Sequence, residues 1–101
     1  MQVDIQSRDF PLTEDLRAHV KRRLWFAMSR FQARGLRIRV RLSDVNGPRG
    51  GVDMHCHLHI CVLGLPDIDV EDTEANLYAA VNRAADRAGR TLQRQLARNL
   101  V

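Results

Sequence analysis

"LRIRVRL", residues 36–42, alternates Leu36, Ile38, Val40 and Leu42 with Arg37, Arg39 and Arg41. Successive side chains of a strand point to opposite faces, so this period of two predicts a half-buried strand with one apolar and one cationic face. The run "VDMHCHLHICVL", residues 52–63, repeats the pattern. Val52, Met54, Cys56, Leu58, Ile60 and Val62 share one face, and Asp53, His55, His57, His59 and Cys61 share the other. Between the two runs, "NGPRGG" at 46–51 is dense in turn residues, which predicts a hairpin. A sheet built on this hairpin has one apolar face to cover and one polar face to leave in water.

Working outward, "MQVDIQ" (1–6) alternates weakly and reads as a short first strand, broken by "FPLT" (10–13). Thr13 is placed to cap a helix whose first turn holds Glu14 and Asp15, where acidic groups favour the positive end of the helix dipole. Leu16, Val20, Leu24, Ala27 and Phe31 then recur at helical spacing, predicting an amphipathic helix over 14–34 that Gly35 terminates. Beyond the hairpin, Gly64 and Pro66 mark a turn. "DIDVED" (67–72) gives a fourth strand with Ile68 and Val70 inward and Asp67, Asp69 and Glu71 outward. Asp72 or Thr73 is expected to cap a last helix, with Glu74 in its first turn and an apolar stripe of Leu77, Val81, Ala84, Ala85, Ala88, Leu92 and Leu96. The order strand, helix, three strands, helix buries everything only if both helices cover the same face. The expected fold is an α+β two-layer sandwich with a four-stranded sheet.

The chain has 101 residues, near the modal size of one domain, so residues 1–101 are expected to form a single unit. With 45% hydrophobic and 28% charged residues it reads as an ordinary globular protein, and no apolar run is long enough to cross a bilayer. The start "MQVDIQSRDF" lacks the layout of a secretory signal, so the cytoplasm is the expected compartment. Cys56 and Cys61 fall on opposite faces of one strand and cannot bridge each other, in keeping with a reducing environment. No serine stands in a nucleophile motif and no glycine loop is built for phosphate, so neither an enzyme, a small-molecule substrate nor a cofactor is expected.

Lys and Arg number 16 against 12 Asp and Glu, a net charge of +4. The excess is organised. "RAADRAGRTLQRQLAR" (83–98) places arginine at 83, 87, 90, 94 and 98, all within one arc of the last helix and well away from its apolar stripe. A solvated face held by ion pairs would alternate its charges, yet only Asp86 intervenes, and like charges at these spacings repel by a few tenths of a kcal/mol per pair. The helix dipole accounts for Arg94 and Arg98 near the C-terminus but poorly for Arg83 and Arg87. Arginine rather than lysine suits bidentate phosphate contacts, so the row points to a polyanion. The first helix adds Lys21, Arg22 and Arg23, then Arg30. With both helices on one side of the sheet, Arg23, Arg30, Arg83, Arg87, Arg90 and Arg94 can line a groove between them, the expected surface for a polyanion, with Lys21 and Arg22 beside it. Within this helix Gly89 costs about 1 kcal/mol against alanine, which a close approach to the other helix would explain.

The order of elements, "LTEDLRAHVKRRL" (12–24) and above all "DTEANLYAAVNRAADRAGRTLQRQL" (72–96) resemble the short ribosome hibernation promoting factors and the related ribosome-associated inhibitor (the HPF/RaiA family). The resemblance spans essentially the whole chain, and its most specific part is the "LYAAV" turn (77–81) followed by regularly spaced basic residues. It implies a β-α-β-β-β-α fold that binds the small ribosomal subunit near the mRNA channel and tRNA sites, with basic residues of both helices against rRNA phosphates. By position, Arg23, Arg87, Arg90 and Arg94 match places where the family has Lys or Arg. Phe26 stands where relatives usually carry a basic residue, and the fourth strand is unusually acidic. The short type is the nearer match, so neither the dimerisation domain of the long members nor the extended tail of the inhibitor subgroup is expected.

A competing reading rests on the other surface. His55, His57 and His59 share one strand face, and a His-x-His pair can hold zinc if Asp53 or Cys61 supplies a further ligand. Three histidines on one straight strand cannot converge on one ion, and Arg37, Arg39 and Arg41 beside them oppose a dication, so no metal is expected there. The same face could instead take an anionic ligand as its imidazoles protonate, or a protein partner. Finally, Trp25 and Phe26 cannot both join the apolar stripe of the first helix. At least one is expected to pack against the neighbouring helix; an exposed one could stack on a base.

Overall fold

A computed structural model describes residues 1–45 and 53–99. The elements are β1 (Gln2–Arg8), α1 (Glu14–Met28), a 3-10 segment (Ser29–Arg34), β2 (Arg37–Asp44), β3 (Met54–Cys61), β4 (Ile68–Glu74) and α2 (Leu77–Asn99). The strands lie side by side in the order β1-β2-β3-β4. β1 runs parallel to β2 through the α1 crossover, and β2, β3 and β4 are antiparallel neighbours. This is the α+β two-layer sandwich expected from the alternation. The expected turn at 46–51 and Val52 lie outside the described residues.

Alternation is realised residue by residue. Ile38, Val40 and Leu42 of β2 and Cys56, Leu58 and Ile60 of β3 are buried, and the residues between them are not. In register, Arg39 faces His59 and Arg41 faces His57 across the sheet's outer side, while Val40 meets Leu58 on the inner side. Ile68 and Val70 extend the inner face onto β4. Against it lie Leu16, Val20, Leu24 and Met28 of α1 and Ala80, Val81, Ala84, Ala85, Ala88 and Leu92 of α2, forming one core cluster. Among the described residues no polar or charged side chain is fully buried in it. Both cysteines are free, Cys56 in the core and Cys61 on the outer face.

Two helix boundaries differ from the sequence reading. The α-helix stops at Met28, and the last six residues before Gly35 wind as a 3-10 segment in which Phe31 alone is buried. One apolar anchor defines no period, so spacing could not separate the tighter turn from a continued α-helix. Gly35 ends the segment in the left-handed conformation, φ 74°. Thr13 caps α1 as expected, its Oγ1 accepting from the Leu16 amide at 3.2 Å. Neither Asp72 nor Thr73 caps α2. β4 continues through both to Glu74, and Asn76 Oδ1 accepts from the amides of Tyr78 and Ala79 at 2.7 and 3.4 Å. An extended strand ending one turn later simply moved the cap from one short polar side chain to another.

Three polar pairs tie the helices together. His19 reaches Asn82, Arg23 reaches Asp86 and Arg30 reaches Gln93, at 2.8, 2.9 and 2.6 Å, each across 63 positions of sequence. A constant offset means that the helices run side by side in the same direction. They come close at Gly89, where a Cβ would sit 2.8 Å from the carbonyl oxygen of Ala27. The obstacle is backbone, which cannot rotate away. Gly89→Ala is therefore expected to lower stability: overpacking costs of about 1–3 kcal/mol outweigh a gain of about 1 kcal/mol in helix propensity. Thermal unfolding followed by circular dichroism checks this. A midpoint lower by several degrees is expected, and a raised midpoint would show that the helices can part freely.

Candidate nucleic-acid interface

The helix layer turns its outer side to solvent, and its cations divide into three groups. On α1, Lys21 and Arg22 are exposed. Arg23 and Arg30 instead reach across to α2. Arg23 is bonded to Asp86 with its guanidinium 5.5 Å over the Phe26 ring, and Arg30 is bonded to Gln93 with its own 4.7 Å over Phe31.

The second group turns toward β4. Arg83 pairs with Glu74 at 3.0 Å, and Arg87 donates to the Glu71 carbonyl at 2.7 Å and to Asp72 at 3.3 Å. The third group comprises Arg90, Arg94 and Arg98, all exposed. Arg94 donates to Thr91 Oγ1 at 3.3 Å, and among the described residues no carboxylate pairs with any of the three.

The expected groove lined by six arginines is thus corrected. Positions 82, 86, 89 and 93 of α2 face α1, and the arginines fall one position further round the helix, at 83, 87, 90 and 94. At about 100° per residue that step carries them past the inter-helix seam toward the outer surface and β4. The seam itself is closed by the three polar pairs. Charge along α2 is consequently graded: its first half is tied to the protein's own acids, and its second half is open.

The outer sheet face is organised by a different rule. Asp69 Oδ1 accepts from His57 Nε2 at 2.8 Å and from His59 Nδ1 at 2.9 Å. His59 Nε2 lies 3.2 Å from Asp67, and His55 lies 2.8 Å from Thr73 Oγ1 and 3.2 Å from Glu71. Each histidine of β3 therefore looks to β4, and the three do not converge on a shared ligand. Among the described residues, the donor atoms that do cluster are those of His59, Cys61 and Asp67, within 4.8 Å of one another. Their cross-strand neighbours are Arg39 and Arg37, whose charges oppose a dication. The Cys56 thiol, pushed up to about 12 by burial and by Asp72, stays neutral and inert in the core.

The acidic fourth strand, an anomaly in the sequence, is explained by its two faces. Asp67, Asp69 and Glu71 answer the histidines on the outer side, while Asp72 and Glu74 answer Arg87 and Arg83 of α2. Alternation of acids on a strand following a histidine strand was the available signal. The matching of Asp72 and Glu74 to α2 had none, because it depends on how that helix lies over β4.

This arrangement makes stability depend on pH. The hydrogen bond that His59 donates to Asp69, with the charges of Asp69 and Asp67, raises the His59 pKa above its usual 6.5 against a smaller opposing effect of desolvation. Hydrogen bonds from His59 and His57 lower that of Asp69 below 3.8. Arg39 faces the same imidazole from β2. A raised histidine stabilises fully below its unfolded pKa and loses that contribution as pH rises through the folded value. A lowered aspartate stabilises above its unfolded pKa and loses that contribution as pH falls. The pair is at full strength between 3.8 and 6.5. The unfolding temperature is expected to fall from about pH 6 to pH 8, and Asp69→Asn to flatten that slope. An unchanged slope in the variant would remove Asp69 as its source.

Comparison with known proteins follows the same lines. Residues 3–99 match the family described as Sigma 54 modulation protein / S30EA ribosomal protein. No curated protein matches the chain significantly. Among solved structures, it is similar to the crystal structure of the Thermus thermophilus Protein Y N-terminal domain, at 27% identity and a TM-score of 0.80, covering 93% of this chain and 98% of that one. It also shares its fold with a ribosomal subunit interface protein from Coxiella burnetii, at 12% identity and a TM-score of 0.78, over 96% and 99% of the two chains. The match over nearly its whole length makes this chain a member of the Sigma 54 modulation protein / S30EA ribosomal protein family, the family of the hibernation promoting factors.

Proposed function

We propose that residues 1–101 act as one ribosome-binding unit in the cytoplasm, which docks on the small ribosomal subunit through rRNA phosphates. Its folded body then blocks the mRNA and tRNA sites, inhibiting translation in resting or stressed cells. The mechanism is electrostatic and steric and requires no reaction. Family membership supports the ribosome as partner. Among the described residues no helix is long and apolar enough to cross a membrane. The observation that carries the reading is the open half of α2, where Arg90, Arg94 and Arg98 stand exposed without a carboxylate partner among the described residues.

The cations are unequal in this role. Lys21, Arg22, Arg90 and Arg94 meet phosphate directly. Arg83 is 67% exposed, and its pairing with Glu74 is a solvent-screened surface ion pair, so it exchanges carboxylate for phosphate at little cost. Arg87 is held harder, because Asp72 is only 8% exposed and the Glu71 carbonyl adds a second bond. Arg23 and Arg30 serve first to fasten α1 to α2.

Co-sedimentation with small subunits across a salt series tests this. Arg90→Glu/Arg94→Glu is expected to weaken binding at least about tenfold and to reduce the salt slope by roughly one per lost phosphate contact. Arg83→Glu should weaken it less, and His57→Ala should leave it unchanged. Binding that survives the double charge reversal but fails in His57→Ala would transfer the function to the sheet face.

A further inference from the structure

Neither aromatic of the first helix packs against its neighbour. Trp25 is 53% exposed and Phe26 is 77% exposed, so neither is enclosed between the helices, where at least one was expected to pack. The reason lies in the helix seam: Ala27 and Gly89 bring the backbones together, and no space for a ring remains between them. Both rings stand instead on the outer side of α1, where they line one shallow concavity with Lys21, Arg22 and Arg23.

This surface has two chemical characters at once. The rings offer flat apolar faces, and three cations stand within the same two turns. Arg23, anchored by Asp86, holds its guanidinium 5.5 Å over Phe26 and so fixes that ring from the α2 side. An apolar protein partner would need a wider apolar patch without three charges in it. A membrane surface would call on the apolar stripe of α1, but Leu16, Val20, Leu24 and Met28 are buried in the core. Duplex nucleic acid keeps its base faces stacked inside. What fits a flat face beside cations is an unpaired nucleotide, its base against a ring and its phosphates against Lys21 and Arg22.

We propose that Phe26 and Trp25 form a stacking platform for unpaired RNA bases, on the same outer surface that carries the open arginines. The proposal deepens the ribosomal reading and rests on it: the phosphate row supplies attraction to any RNA, and the platform selects single strands. The inter-helix offset sets Arg90 level with Ala27, one residue beyond Phe26, so one strand can run from the platform onto the arginine row.

Trp25 is the only tryptophan of the chain, so its emission reports on the platform directly. The full chain is titrated with a short mixed-sequence single-stranded RNA and with an RNA duplex of equal phosphate number, and the subunit co-sedimentation is repeated for each variant. Single strands are expected to quench Trp25 and the duplex to leave it unchanged. Phe26→Ala should weaken single-strand and subunit binding about tenfold without altering the salt slope, and Phe26→Tyr should retain both. Equal binding of both RNAs, no quenching and an unaffected Phe26→Ala would overturn the platform while leaving the phosphate row intact. Subunit binding lost in Phe26→Ala with RNA binding unchanged would assign the rings to a ribosomal protein and overturn it too. Failure of the wild type to bind either RNA or the subunit would remove the phosphate reading, and the platform with it.

Discussion

The period-two alternation of β2 and β3 is the constraint on which the rest depends. Because Ile38, Val40, Leu42, Cys56, Leu58 and Ile60 all face one way, the apolar stripes of both helices must come to that side. They lie parallel on one layer, close enough at Gly89 to exclude side chains, and two solvent surfaces remain: the outer side of the helix pair and the outer side of the sheet.

These two surfaces treat charge differently. Across the sheet, the rows run from arginine on β2 through histidine on β3 to aspartate or glutamate on β4, so that opposite charges stand near one another within the protein. β4 extends the same compensation to the helix layer, holding Arg83 and Arg87 through Glu74 and Asp72. The acids of β4 are thereby consumed on both faces. Among the described residues, exposed cations without a carboxylate partner include those along the C-terminal half of α2 and Lys21 and Arg22 on the outer side of α1. A net charge of +4 is modest as a total, but its placement makes one surface cationic.

Much of this was legible in the sequence, for identifiable reasons. Alternation fixes which face of a strand is buried, so the inward residues of β2, β3 and β4 could be named one by one. Thr13 could be placed because a cap acts within its own turn, and Gly89 because a glycine inside a strong helix demands a neighbour. What was illegible depends on the rotation of one element against another. The arginines of α2 recur at helical spacing, which shows that they share a face but not whether that face looks at α1 or at β4. A single step of about 100° decides between them. The fate of Trp25 and Phe26 was hidden for the same reason, since only the distance between the helices shows whether a ring fits there. The 3-10 segment had one buried residue and therefore no period to read.

Self-pairing of cations is usually taken as evidence against a role in binding a partner, and here the strength of each pair decides the matter. Exposed ion pairs contribute at most about 1 kcal/mol, while a phosphate contact on a polyanion releases condensed counterions and gains from every neighbouring contact. Arg83, exposed and held by one carboxylate, keeps a defined orientation in the free protein yet loses little by turning to phosphate. Arg87, bonded to a nearly buried Asp72 and to a backbone carbonyl, does not have that freedom. The first half of α2 thus serves chiefly to join helix to sheet, and the second half is left open to solvent. Where β4 ends its reach along the helix is therefore where the proposed binding surface begins.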